Sequence, residues 1–420
     1  MTNVIEVLQQ RNFIDQLSDE KLKEIVKNPI SCYVGFDPTA DSLHIGHLVG
    51  VMALFWLNKY GHRAYALIGG ATGKIGDPSG KSIERPFLDD KIILKNISSI
   101  KSFLEKVLGK DIEVVNNNDW FEKIKFTDFL RDIGKYFRIG PMLAKESVKL
   151  RLESQEGMSF TEFSYQVLQS YDYYHLFKHL NITLQIGGSD QWGNITAGIE
   201  LIRKLTHKTV YGMTFPLLTR SDGKKFGKTE SGAVWLDEKK LSYFDFYQYL
   251  IRVPDTDVIK LLKMLTFLSL EDINDIEKQM STSSYKPNSA QKILATEVTK
   301  FIHGSEGLKI AQNVTEAASP GSDSTLDYDT LKQISKDMPN IKLSPPDIIG
   351  KKYSDIACLI GLTSSKSEAV RLVKNNGAYL NNKKVLDPSS IISEKDLIKS
   401  TFLLFGAGKK KRILVTIEKK

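Results

Sequence analysis

The chain has 420 residues, 41 % apolar and 26 % charged, which excludes disordered, collagen-like and membrane-spanning classes and suits two or three folded domains. Its longest nearly uninterrupted apolar run, 48–57, is too short to cross a bilayer, and its two distant cysteines, Cys32 and Cys358, exclude a disulfide framework and a Cys-rich zinc site. The net charge of +8 is uneven: residues 351–420 carry 15 basic and 6 acidic side chains, which leaves the body of the chain near neutrality.

The opening stretch 1–13 has no basic cluster followed by an apolar core, so no export signal is expected. Short β-type runs follow at 31–36, 63–68, 111–115, 182–186 and 213–218, each bounded by Gly, Asn, Asp or Pro. Between them, 46–60, 90–108, 120–133, 161–180 and 190–205 read as helices. This alternation predicts an α/β fold, a doubly wound and mostly parallel sheet of the nucleotide-binding kind, with ligands beyond the carboxyl ends of its strands. From 242 to 303 the strand signals stop and a helical domain is expected. The division expected is 1–235 catalytic, 236–318 helical, 319–350 linker and 351–420 a small basic α+β domain. Such a basic module is an electrostatic footprint for a polyanion, with a tail kept for solubility as the alternative.

The first chemistry-bearing string, Asp37-Pro-Thr-Ala-Asp-Ser-Leu-His44-Ile-Gly-His47, follows the first strand and runs into a helix. A Thr or Ser ahead of the helix can cap it, its unpaired amides form an anion site, and the two histidines fall on one helical face. Gly46 keeps the backbone clear for a base or ribose. No third metal ligand lies nearby, so a histidine metal pair is not favoured. Far down the chain, Lys225-Phe-Gly-Lys228-Thr229 follows the last strand of the alternating region. Two lysines on a glycine-containing loop can clamp a polyphosphate. The glycine-rich loop 69–82 tempts a kinase-type reading, but its Gly80-Lys81-Ser82 has Ile75 where the leading glycine belongs, so that spacing fails. Asp77 remains there as a usable carboxylate. In the helix 161–180, Tyr165, Gln169 and Asp172 stand at i, i+4 and i+7 on one face, flanked by aromatic residues.

Together these motifs resemble a bacterial member of the class I aminoacyl-tRNA synthetases, in its tyrosine-specific branch. His44-Ile-Gly-His47 is similar to that class's first motif, and Lys225 to Thr229 to the second. The likeness extends through Gly35-Phe-Asp-Pro-Thr-Ala-Asp, Gly76-Asp-Pro-Ser-Gly-Lys and Gly187-Gly-Ser-Asp-Gln-Trp-Gly-Asn-Ile to the basic end, which resembles an RNA-binding domain. The resemblance implies a tyrosine pocket of Tyr33, Thr72, Asp77, Tyr165, Gln169, Asp172 and Gln185. It implies nucleotide contacts at Asp37, Gly46, Gly188, Asp190 and Gln191, and catalytic roles for Thr39, His44, His47, Lys81, Arg85, Lys225, Lys228 and Thr229. Implied with them are ATP as substrate with Mg2+, no bound prosthetic group or protein-held metal, L-tyrosine and tRNA(Tyr) as partners, a homodimer, and a cytoplasmic location. Val34 and Gly50 depart from residues common in relatives and bear on ATP affinity. A tryptophan-specific relative would share the fold and could use Asp172 for an indole N–H; Tyr33 and the basic module argue for tyrosine.

Overall fold

The computed structural model describes residues 3–80, 89–153, 157–223, 225–229, 232–317, 328, 331–332, 335, 338–408 and 411–418. By compactness the chain forms two units, 1–237 with 254–290 and 238–253 with 291–420. This division cuts across the helical stretch expected at 236–318, because the helices Asp255–Leu265 and Leu270–Met280 belong to the first unit.

The first unit is built on a six-stranded sheet: β1 (Gln16–Leu17), β2 (Ser31–Phe36), β3 (Arg63–Ile68), β4 (Glu113–Asn116), β5 (Ile182–Gly188) and β6 (Tyr211–Phe215). Their spatial order is β1-β6-β5-β2-β3-β4, parallel throughout except for the antiparallel edge strand β1. Strands β2 and β3 stand at the expected residues and β5 begins where expected, β4 and β6 are offset by about two residues, the edge strand β1 was not expected, and helices cover the sheet as the doubly wound reading requires. Strand β3 reads Arg-Ala-Tyr-Ala-Leu-Ile with five buried residues in succession, the pattern of a strand covered on both faces. The apolar run 48–57 lies in the helix Leu48–Lys59, which packs on β2, β3 and the helix Asp255–Leu265 and is therefore buried almost all round.

Chain order reverses between β2 and β5, which are neighbours although 145 residues of chain separate Phe36 from Ile182. The loops after these two strands diverge there and open a crevice at their carboxyl ends. One expected helix does not form as a unit: 120–133 divides into Asn118–Phe121 and Phe126–Asp132, with Lys125 extended between them. The first piece is held by side-chain bonds of Asn117 and Trp120, a tertiary demand that apolar spacing does not reveal.

The second unit holds the helix Tyr243–Ile251, most of the helix Ser289–Ala317 (kinked where Gly304 takes φ 72°), and a five-stranded sheet. Its strands β9 (Asn340–Leu343), β10 (Ala378–Leu380), β11 (Lys383–Lys384), β12 (Phe402–Ala407) and β13 (Lys411–Ile417) run in the order β11-β10-β12-β13-β9. Strand β12 alternates: Leu403 and Phe405 face a core with Tyr353, Ile356 and Val373, while Phe402 and Leu404 face Phe244 and Val314. The linker expected at 319–350 lies partly outside the described residues. Its last part is not a linker, since β9 pairs parallel with β13 and completes the sheet.

Candidate active site

The crevice is a cavity of about 470 Å³. Its lining includes Tyr33, Asp37, Thr39, His44, Gly46, His47, Thr72, Asp77, Tyr165, Gln169, Asp172, Gln185, Gly188, Asp190, Gln191, Lys225 and Lys228. Of the other expected residues, Lys81 and Arg85 lie outside the described residues, and Thr229 sits in a short strand, β7 (Lys228–Thr229), paired with β8 (Gly232–Ala233).

The histidine motif differs from expectation in its backbone. His44 is extended (φ −112°, ψ 168°) and caps the short turn Ile45–His47, so the two histidines do not share a helical face, and neither Thr nor Ser provides the cap. A cap bond explains the difference: the Gly46 N–H donates to His44 Nδ1 at 3.1 Å, and the His44 N–H donates to His47 Nδ1 at 3.1 Å. The two rings stack with centroids 3.9 Å apart. With each Nδ1 accepting a backbone proton, each neutral imidazole carries its own proton on Nε2. Gly46 is required here, because a Cβ would stand 2.8 Å from His44 Cε1. Gly50 sits close to β2: a Cβ there would come within 3.1 Å of Val34 Cγ1, where the helix crosses the strand.

The lysine loop is stitched to this motif through the backbone. The Ile45 N–H donates to Val234 O at 2.8 Å, the Leu236 N–H to Leu43 O at 2.9 Å, and the Val234 N–H to Gly227 O at 2.9 Å. Gly227 has φ +86°, and a Cβ there would meet Ile45 Cγ2 at 2.4 Å, so only glycine lets the two motifs close together. Lys225 and Lys228 thus line the same crevice as the histidines, with their side chains largely exposed.

Deeper in the cavity three hydrogen-bonded groups surround an open space. Asp172, 1 % exposed, accepts from Asn117 Nδ2 at 3.0 Å and from Trp120 Nε1 at 2.9 Å. Burial pushes its carboxyl up to about 8 against the pull of those two donors. Asp37 accepts from Tyr165 Oη at 2.7 Å and from Thr72 Oγ1 at 2.8 Å. Asp77 accepts from the Ser79 N–H at 2.9 Å and from Gln191 Nε2 at 2.6 Å, while Asn194 reaches Gln169 Oε1 at 3.0 Å. Asp37, expected among the nucleotide contacts, is therefore committed to Thr72 and Tyr165 of the expected amino-acid pocket. Gln191 is likewise tied to Asp77. Burial, with Asp77 nearby, raises the Asp190 carboxyl above its ordinary range.

Two buried polar atoms in this wall have no hydrogen-bond partner among the described residues: Tyr33 Oη and Gln185 Oε1, on residues paired across β2 and β5. Burial, and then the Asp172 charge, holds the Tyr33 phenol well above its ordinary value, so it keeps its proton. An orphaned donor and acceptor beside a cavity are the signature of a polar ligand. Sequence reasoning missed Asn117, Trp120, Ser79 and Asn194. Ser79 and Asn194 stood inside the strings that carry the resemblance without being given a role, and the signal for Asn117 was the asparagine run 116–118 at the end of a strand.

A family model for class I tRNA synthetases of the W and Y type matches residues 26–318. The chain belongs to that family. In this synthetase a second match, to the "Tyrosine--tRNA ligase SYY-like C-terminal domain", covers residues 330–415. The synthetase is 52 % identical to the tyrosine--tRNA ligase of Protochlamydia amoebophila over 99 % of both chains. It is 48 % identical to the chloroplastic/mitochondrial tyrosine--tRNA ligase of Arabidopsis thaliana, over 99 % of this chain and 84 % of that one. Among solved structures it resembles a C-terminally truncated mitochondrial tyrosyl-tRNA synthetase of Aspergillus nidulans, at 33 % identity and a TM-score of 0.66. That likeness covers 74 % of this synthetase and 92 % of the other chain. The doubly wound class I fold expected from the sequence is thereby borne out.

Proposed function

We infer that the chain activates L-tyrosine with ATP to tyrosyl adenylate and transfers the tyrosine to the 3′ end of tRNA(Tyr), releasing pyrophosphate and AMP. The observation that carries the choice of amino acid is the orphaned Tyr33 hydroxyl, buried at the cavity wall within electrostatic reach of Asp172. A substrate phenol accepts from Tyr33 and donates to Asp172, which satisfies both. Phenylalanine leaves the Tyr33 hydroxyl desolvated and unpaired and brings Asp172 no third donor, tyrosine-specific synthetases being the standing example of that penalty.

At the other end of the amino acid, Tyr165 has spent its proton on Asp37, so its oxygen offers lone pairs. With Asp77 and Gln169 it forms an acceptor set for the ammonium. The carboxylate then points toward the histidine rim. Its oxygen attacks the α-phosphorus of ATP in line, an O–P bond forms, and pyrophosphate leaves with the electrons of the broken bridge. The Nε2 protons of His44 and His47 donate to oxygens that gain charge in this step, with Thr39 beside them. Lys225 and Lys228, joined by Lys81 and Arg85, neutralise the departing pyrophosphate, and the Thr229 hydroxyl offers it a neutral hydrogen bond. Gly46, Gly188, Asp190 and Gln191 accommodate the adenosine portion. The terminal adenosine hydroxyl of tRNA then attacks the carbonyl of the adenylate, and AMP leaves.

Mg2+ fits this scheme as a companion of the triphosphate: among the described residues no three His, Cys, Asp or Glu side chains converge on one point, and Mg2+ is commonly carried by phosphates with few protein ligands. A homodimer is supported by exposed apolar side chains on the first unit. Phe126, Leu130, Ile139 and Leu143 stand out of the segment 126–143, and Phe160 is 70 % exposed. Among the described residues no helix is long and apolar enough to cross a membrane. A cytoplasmic location is supported by the two unpaired cysteines.

The reading is tested by Tyr33→Phe. Tyrosine binding is expected to weaken by about 0.5–1.5 kcal/mol, with little change for phenylalanine, because a neutral hydrogen bond of that order is removed. Equal effects on both amino acids would contradict it.

A further inference from the structure

Lys225 and Lys228 are exposed, so where they sit is decided by the backbone of the loop that carries them. The root of that loop is tied to the first turn of the helix Asp255–Leu265. The Ser221 N–H donates to Asp257 Oδ1 at 2.9 Å, and Ser221 Oγ lies 3.0 Å from Thr256 Oγ1. Beyond the tie, the Gly223 N–H turns back to Arg220 O at 2.9 Å and Thr219 bridges Lys225, so the turn that contains the anchored Ser221 sets where the lysine starts.

Asp257 is only 5 % exposed, and its Oδ2 has no hydrogen-bond partner among the described residues. A buried carboxylate with one unused oxygen is costly and needs a reason. The amino end of its own helix offsets part of that cost. The helix is also a fixed post. It packs on the helix Leu48–Lys59, and Arg11 ties its far end by donating to Lys263 O at 3.3 Å and to Leu268 O, with the guanidinium 4.4 Å above the Trp56 ring.

We propose that Asp257 is a positioning residue for adenylate formation, holding Ser221 so that the lysine loop keeps its register over the histidine motif. The inference rests on the reading of Lys225 and Lys228 as pyrophosphate-side groups. Asp257 touches no substrate; it acts through the loop. The carboxylate accepts from the Ser221 amide with one oxygen and keeps the second as an alternative acceptor when the loop shifts.

The test measures single-turnover adenylate formation and equilibrium tyrosine binding for Asp257→Ala, Asp257→Asn, Lys225→Ala and the Asp257→Ala/Lys225→Ala pair, in the full chain. Asp257→Ala is expected to slow adenylate formation about tenfold, the loss of one hydrogen bond to a charged acceptor, with tyrosine affinity unchanged. Asp257→Asn keeps an acceptor oxygen and recovers most of the rate. In the pair the two losses overlap instead of multiplying, since both act on the same lysine. Should Asp257→Ala fail to fold, Ser221→Pro removes the donor from the loop side and is expected to show the same slowing. A wild-type rate in the alanine variant, an asparagine variant as slow as alanine, or losses that multiply overturns the anchor. If Lys225→Ala is itself without effect, the phosphate-side reading falls, and the anchor with it; a slow Lys225→Ala beside an unaffected Asp257→Ala overturns the anchor alone.

Discussion

Tyr165 Oη donates to Asp37 Oδ2 at 2.7 Å, and this one bond fixes the polarity of the amino-acid end of the cavity. The Thr72 hydroxyl donates to the other oxygen of Asp37 at 2.8 Å, so each carboxylate oxygen is held by a donor. The phenol's lone pairs are left for a cation. Tyr165→Phe is therefore expected to weaken tyrosine binding by about 1–3 kcal/mol, the range for a hydrogen bond to a charged group, while the rate from bound tyrosine changes less. Equilibrium binding and single-turnover kinetics separate the two; unchanged affinity would contradict the assignment.

Asp172 gives the empty cavity a pH signature. Its carboxyl titrates near 8 in the folded chain against an ordinary value of 3.8, so the folded state binds this proton more tightly than the unfolded one. The stabilisation is complete below the unfolded value and is lost as pH rises through the folded one. Thermal unfolding of the ligand-free protein is expected to show wild type losing stability relative to Asp172→Asn between about pH 4 and about pH 8, and no further change above. A difference that does not vary with pH in that window would show that Asp172 is charged throughout.

Much of this was legible in the sequence, and the parts that were not share a cause. The strands 31–36 and 63–68 and the helix 90–108 are set by local periodicity, and the structure has them at those residues. The face of Tyr165, Gln169 and Asp172 is equally local, because one helix, Phe160–Leu180, carries all three into the cavity. Asn117 is different. It donates to Thr72 Oγ1 at 2.9 Å and to Asp172 Oδ2 at 3.0 Å, and accepts from the Ala71 N–H at 2.7 Å. Those partners lie about fifty residues away on both sides, so no spacing rule exposes the role. His44 failed for another reason: a histidine imidazole took the capping place usually filled by Ser, Thr, Asp or Asn, and the helix began later than its apolar pattern suggested.

The basic second unit is testable at an exposed hairpin. Asn381 and Asn382, both at positive φ (50° and 62°), turn β10 into β11 and present Lys383 and Lys384 to solvent. Asn381 holds the turn through Leu404, donating its N–H to the carbonyl at 2.7 Å and accepting from the amide at 2.9 Å. Replacing both lysines by alanine is expected to raise the tRNA KM and to lower the slope of its logarithm against log salt by about two, one per phosphate contact. Tyrosine-dependent pyrophosphate exchange should be untouched. A salt slope equal to wild type would place the RNA contact elsewhere on the unit.

The most direct measurement offers each amino acid separately in ATP–pyrophosphate exchange. The buried phenol-matching pair of Tyr33 and Asp172, in the same cavity as the stacked histidines, predicts that tyrosine alone sustains rapid exchange while phenylalanine and tryptophan remain near background. Exchange supported equally by tryptophan, or by no amino acid at all, would contradict the account.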